Sequence, residues 1–244
     1  MKNLICKRKA SVAVGLGALS AMLFAVGGVS AATKIEAGPP GAFGVDSARV
    51  TNPYLPISKF HRCVLAGHDT GQQLRVVRVL EPRAKSIVYG NNEVQVAAVK
   101  DRVTNLQTGE LIEQTIDYFA QDRAGNVYYF GEDVSDYRNG KVVGHSGTWR
   151  VGRNGAGPSL LMPAHPKVGD TFSSENVPGI AVERDRVIAS GLTRRIDGHT
   201  YRHVIQIREH ATTPKPVEVE LKTYTPGTGV ITEANGELHL VGCS

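Results

Sequence analysis

The chain has 244 residues, of which 28 are Lys or Arg and 23 are Asp or Glu, giving a formal net charge of +5 with 41% hydrophobic residues. That length suits one large β domain or two small ones. Lys2, Lys7, Arg8 and Lys9 fall within the first 32 positions, which hold no acid, so the rest carries 24 minus 23, or +1; nothing global points to nucleic acid or an anionic membrane as partner.

Behind that basic start, Ser11 to Val29 is apolar and small, and Val29-Ser30-Ala31-Ala32 offers the small residues a signal peptidase reads. Residues 1–32 therefore read as a secretory signal. A membrane anchor is the alternative for an apolar run of this length. Gly15, Gly17, Gly27 and Gly28 interrupt it, and no second long apolar run follows, so no membrane span is expected in the mature chain. Cys6 precedes the run and is not placed for lipid attachment. The expected location is the periplasm or the exterior.

Two cysteines remain, Cys63 and Cys243. An oxidising compartment permits a disulfide, and two cysteines allow one intramolecular pairing. It would tie the start of the folded region to its end, worth about 5 kcal/mol at most in the chain-entropy picture. Two separate buried thiols are the alternative. No Cys-x-x-Cys occurs, so neither a redox pair nor a zinc site is indicated.

Residues 33–51, rich in Gly, Pro and Ala, read as a flexible leader. Asn52-Pro53-Tyr54-Leu55-Pro56 reads as extended chain, because each proline turns its predecessor away from helix. From there, 52–244 reads as a single β domain. "HRCVLAG", "QQLRVVRVL", "EVQVAAVKDRVT", "LIEQTIDYFAQ" and "VYYFGEDVSDYR" are strand-like, with turns at "HDTG", "NLQTGE" and "DRAGN". A change of phase between Val76 and Val77 suggests a bulge. Asn139-Gly140 is the strongest hairpin signal, since both residues accept positive φ. "KVVGHSGTW" returns from it, followed later by "ERDRVIAS", "YRHVIQIREH", "VEVELKTYT" and "GELHLVGC". "SLLMP" offers the one helical turn. The expected fold is mainly β: a curved antiparallel sheet, as half-barrel, barrel or sandwich, with little helix.

Gly144-His145-Ser146-Gly147 resembles a nucleophile elbow, but Thr148 stands where the last glycine belongs and no helix start follows. His199 and His203 lie about 13 Å apart along a strand, too far for one metal. Asp122 and Asn126 lack the spacing of a calcium loop and read as turn residues. No cofactor or metal site is expected.

If Asn139 and Gly140 form the turn, Arg138 faces Lys141, Asp136 faces Val143, Val134 faces His145 and Phe130 faces Trp149. One face then holds Phe130, Glu132, Val134, Asp136, Val143, His145 and Trp149, which makes Glu132, Asp136 and His145 candidate acid–base residues. Tyr118, Tyr128, Phe130 and Trp149 are candidate ligand-lining aromatics; for both sets the plainer alternatives are an outward charged face and ordinary core.

The segments "NPYLPI", "DYFAQDRAGNVYYFGEDVSDYRNGKVV", "GTW", "LMPAHPKVGDTF" and "YTPGTGV" together resemble an uncharacterised family of exported bacterial β proteins, from Asn52 to the C-terminus. The resemblance implies a curved antiparallel sheet, loosely similar to half-barrel carriers of apolar cargo, and brings no established activity. The expected role is a non-enzymatic binding or carrier protein for an apolar or amphipathic small molecule. A hydrolase or lyase using the acid–histidine group and an envelope scaffold are the alternatives; no protein partner is indicated.

Overall fold

The computed structural model describes residues 38–39, 42–213 and 217–244, so the secretory signal expected over 1–32 lies outside the described residues. The chain is mainly β, with short 3-10 turns at Ile57–Lys59 and Ala234–Gly236. Fifteen strands form one antiparallel sheet. They are β1 Arg62–Asp69, β2 Gln72–Leu80, β3 Lys85–Tyr89, β4 Asn92–Asn105, β5 Leu111–Gln121, β6 Val127–Arg138, β7 Lys141–Gly144, β8 Trp149–Arg150, β9 Ser159–Met162, β10 Thr171–Val177, β11 Ala181–Ile196, β12 His199–Thr213, β13 Glu218–Thr225, β14 Gly229–Glu233 and β15 Leu238–Cys243.

The main path runs β10-β11-β12-β13-β14-β15-β1-β2-β4-β5-β6-β7, with β3 on β4 and both β8 and β9 on β6. Nearly every neighbour is also a neighbour in sequence. On the main path the exceptions are β2–β4, which passes over β3, and the β15–β1 seam, which joins the last strand to the first. Cys63 and Cys243 face each other in that seam and are disulfide-bonded. His61 and Arg62 donate their N–H groups to the Ser244 carbonyl beside it.

A twisted sheet of this breadth curls, and bulges in β6, β10, β11, β14 and β15 add to the bend. At Gly131, φ is +120°, and a Cβ there would run into the Trp149 carbonyl oxygen, so glycine alone lets β8 approach β6. The curl brings β10 beside β9 with no ladder between them, so the barrel is not closed. Trp149 Nε1 donates across this gap to Glu175 Oε1, 3.1 Å away.

One buried cluster joins β4–β6 to β10–β13 through Phe130, Trp149, Phe172 and Ile207. A second lies under the seam, around Leu65, Leu74, Ile231 and Leu238.

Three local expectations change. The leader placed over 33–51 is packed from residue 42 onward: Phe43 bridges Asp122, Val50 is fully buried, and the Ser47 carbonyl accepts from the Gln121 N–H. β2 keeps an unbroken register through Val76 and Val77, and the nearby bulge is at Val241 of β15, opposite Val64 and Leu65. "SLLMP" is strand β9, held by β6. The Asn139-Gly140 turn has both residues at positive φ, and Asp122 and Asn126 bond each other around their turn, as expected. No helix among the described residues is long and apolar enough to cross a membrane.

Candidate functional site

Alternation sends every second side chain of a strand to the concave side, and the registers stack these into rows. Arg78 faces Asp101, Asp101 faces Thr115, and Thr115 faces Val134. On one side of that row stand Val76, Val103, Glu113 and Asp136; on the other, Leu80, Val99, Asp117, Glu132 and Trp149. On the opposite limb Asp185 faces Glu209, which faces Glu220. These rows line most of a groove of about 430 Å³, one margin of which is supplied by Leu55, Pro56 and Ile57 of the N-terminal segment.

Along β2 and β4 the groove is apolar, then charged, then apolar. In β2 the sequence is Leu74, Val76, Arg78, Leu80; in β4 it is Val103, Asp101, Val99. Acids outnumber bases. Arg78 bonds Asp101 at 2.8 Å and Glu233 at 2.9 Å, and Lys222 bonds Glu209 at 2.7 Å. Burial works against both cations, yet the surrounding carboxylates hold them protonated.

The carboxyls respond to the crowding. Burial, then the nearby Asp101 and Asp136, push Glu113 up to about 8. Burial, then Asp101, push Asp117 up to about 7, although the Tyr129 hydroxyl donates to it at 2.5 Å. Burial, then Glu183 and Glu209, raise Asp185 well above the usual carboxylate range. Like charges directly opposite on a sheet are destabilising, and here Asp117 faces Glu132, Glu113 faces Asp136, and Asp185 faces Glu209. The matching bases point the other way: Arg184, Arg186, Arg208 and His210 are exposed on the convex side of β11 and β12.

The candidate residues from the hairpin are redistributed. The turn pairs Arg138 with Lys141 and Tyr137 with Val142 as expected, but a bulge then sets Asp136 against Gly144 instead of Val143. Glu132 consequently faces Trp149 rather than Gly147. His145 Nδ1 is 2.6 Å from the Val134 carbonyl, and Asp136 accepts from the Ser146 backbone N–H. Glu132 shares the Tyr129 hydroxyl with Asp117. Ser146 sits in a turn that leads into β8, not into a helix.

Tyr118, Tyr128, Phe130 and Trp149 are all buried, and none is a lining residue of the groove. Tyr128 and Phe130 pack edge-on against Phe43. Tyr118 donates to Asp133 under the Arg150 guanidinium. Their sequence neighbours Phe119 and Tyr129 line the groove and stack on each other, with Trp149 edge-on behind Tyr129.

The groove's Arg78, Asp101, Asp117 and Glu209, and Asp185 opposite Glu209, carry no local motif. Stretches such as Glu183-Arg184-Asp185-Arg186 are charged on both faces, so alternation cannot reveal which side turns inward. No family model, curated protein or solved structure matches this chain.

Proposed function

We propose that the protein is an exported, non-enzymatic binding protein that carries an elongated amphipathic ligand with a positively charged group in its concave groove. Export is supported by the N-terminal signal pattern together with the Cys63–Cys243 bridge, which belongs to an oxidising compartment. The observation that carries the reading is the banded lining: apolar side chains flank rows in which acids face acids. The apolar bands offer area for hydrocarbon. A cation in the acidic band relieves the repulsion between Asp117 and Glu132 and between Glu113 and Asp136. An anionic ligand would add to it.

Native mass spectrometry of the protein, purified gently from the exported fraction, tests this. A co-purifying amine-bearing amphiphile supports the reading; an anionic lipid or fatty acid as the sole cargo contradicts it.

One observation favours a second reading, a hydrolase or lyase. Asp117, held near neutrality beside Glu132 and Tyr129, has the properties of a general acid or base. On that reading the acid–base pair is Asp117 with Glu132. Turnover of ester or glycan substrates, lost in Asp117→Asn, would favour it over carriage.

A further inference from the structure

The opposite limb of the groove holds a tighter arrangement. Glu183 and Asp185 of β11 and Glu209 of β12 each offer a carboxylate oxygen, and the three oxygens lie within 4.8 Å of one another. Asp185 and Glu209 are only 3% and 4% exposed. The convergence is set by the ladder: Asp185 is directly opposite Glu209, and Glu183 lies two residues along the same strand.

Independently of this clustering, Asp185 Oδ1 is buried with no hydrogen-bond partner. A buried carboxylate oxygen without a donor is costly. Of the nearby donors, Ser174 and Lys222 are engaged by other carboxylates, and Ser174 is also within hydrogen-bonding reach of the Asp185 carboxyl. Ser174 Oγ donates to Glu183 Oε1 at 2.6 Å, and a hydroxyl has one proton to give. Lys222 Nζ is 2.7 Å from Glu209 Oε2 and 3.9 Å from Glu220. Glu175 of β10 faces Glu183, and Tyr224 of β13 lies close to Glu209 and Lys222. Glu175, Glu183, Asp185, Glu209 and Glu220 therefore crowd this pocket against a single lysine, Lys222.

We propose that Glu183, Asp185 and Glu209 form a divalent-cation site of calcium size. Carboxylate oxygens bind Ca²⁺ at about 2.3–2.6 Å, so oxygens on one ion stand up to about 5 Å apart, whereas Mg²⁺ at about 2.0–2.1 Å limits them to about 4.2 Å. Oxygens that all lie within 4.8 Å of one another come inside the reach of the larger ion. A Ca²⁺ ion supplies the partner that Asp185 Oδ1 lacks and offsets part of the acidic excess. Two strands supply all three ligands, with no local motif, which is why the sequence gives no metal signal. The site does not depend on the groove's organic ligand.

The test is calorimetric titration of the chelator-treated, dialysed protein with CaCl₂ and with MgCl₂, alongside thermal melts. One Ca²⁺ site with a Kd of about 10⁻⁴–10⁻³ M, typical of extracellular modules, is expected. Mg²⁺ should bind at least tenfold more weakly. Asp185→Asn and Glu183→Gln should each weaken Ca²⁺ at least tenfold, while Glu93→Gln, exposed near the start of β4, should not. Glu183→Gln removes a like charge and Asp185→Asn imitates the protonated carboxyl, so their metal-free melting temperatures should equal or exceed that of the parent, separating lost binding from lost folding. No heat and no melting shift up to 10 mM Ca²⁺ in the folded parent would overturn the site. So would unchanged Ca²⁺ affinity in both site variants, or equal affinity for Mg²⁺.

Discussion

Trp149 and Glu175 hold the open edges of the curled sheet together: the indole N–H reaches the carboxylate across the gap between β8 and β10 at 3.1 Å. The indole is 4% exposed and packs edge-on against Tyr129, so one side chain fixes both the barrel gap and an aromatic that lines the groove. Trp149→Phe retains most of the packing and loses the bond, and the cost is about 1–2 kcal/mol. Trp149→Ala leaves a cavity and costs about 3–5 kcal/mol. Urea unfolding of the two variants measures both. An alanine variant no weaker than the phenylalanine one would show that the indole does not brace the gap.

The β15–β1 seam is the point at which the N-terminal and C-terminal runs of strands become one sheet, and its disulfide spans 180 residues of sequence. Cys243→Ser should lower stability by about 3–5 kcal/mol, close to the upper value for so long a loop. The same loss should follow reduction of the parent, and reduction should not change the variant. Equal melting temperatures for oxidised parent and variant would contradict this.

Glu113 and Asp117 give the stability a pH dependence whose sign is fixed. Their folded values of about 8 and 7 lie above the ordinary 4.5 and 3.8, so between about pH 4 and 8 the folded state holds protons that the unfolded state has released. Stability therefore falls as the pH rises through that window. Glu113→Gln imitates the protonated carboxyl and should raise the melting temperature by roughly 3–6 °C at pH 8.5 while changing little at pH 4.5. Scanning calorimetry at the two pH values checks it. An equal change at both would contradict the shift.

Much of the sheet can be read from residue alternation. "LIEQTIDYFAQ" and "VYYFGEDVSDYR" coincide with β5 and β6, and Asn139-Gly140 marks their return because positive φ is a local property. β3, β10 and β14 escape the same reading. Thr171–Val177 is polar and short, and Gly229–Glu233 merges with the Thr-Pro-Gly turn before it. β9 resembles a helical turn because a short apolar run has no diagnostic period.

The groove is less legible, for a physical reason. A bulge of one residue moves every later side chain to the other face. The bulge beside Gly131 accompanies the close approach of β8, and the one after Asp136 lies in the hairpin with β7; no local signal announces either. Thus Tyr128 and Phe130, prominent in the sequence, fill the core, while Tyr129 between them reaches the groove. The facing of Asp185 with Glu209 likewise depends on a register set by two long, bulged strands.

The most direct test of the banded groove is a comparison of headgroups on one chain. Calorimetric binding of dodecylamine, dodecanol and dodecanoic acid, each below its aggregation concentration at pH 7.5, isolates the charge because the hydrocarbon is constant. Dodecylamine should bind at least tenfold more tightly than dodecanoic acid, with dodecanol between them, and Glu132→Gln should narrow the gap. Equal binding of all three, or a preference for the acid, would contradict a groove built for a cationic amphiphile.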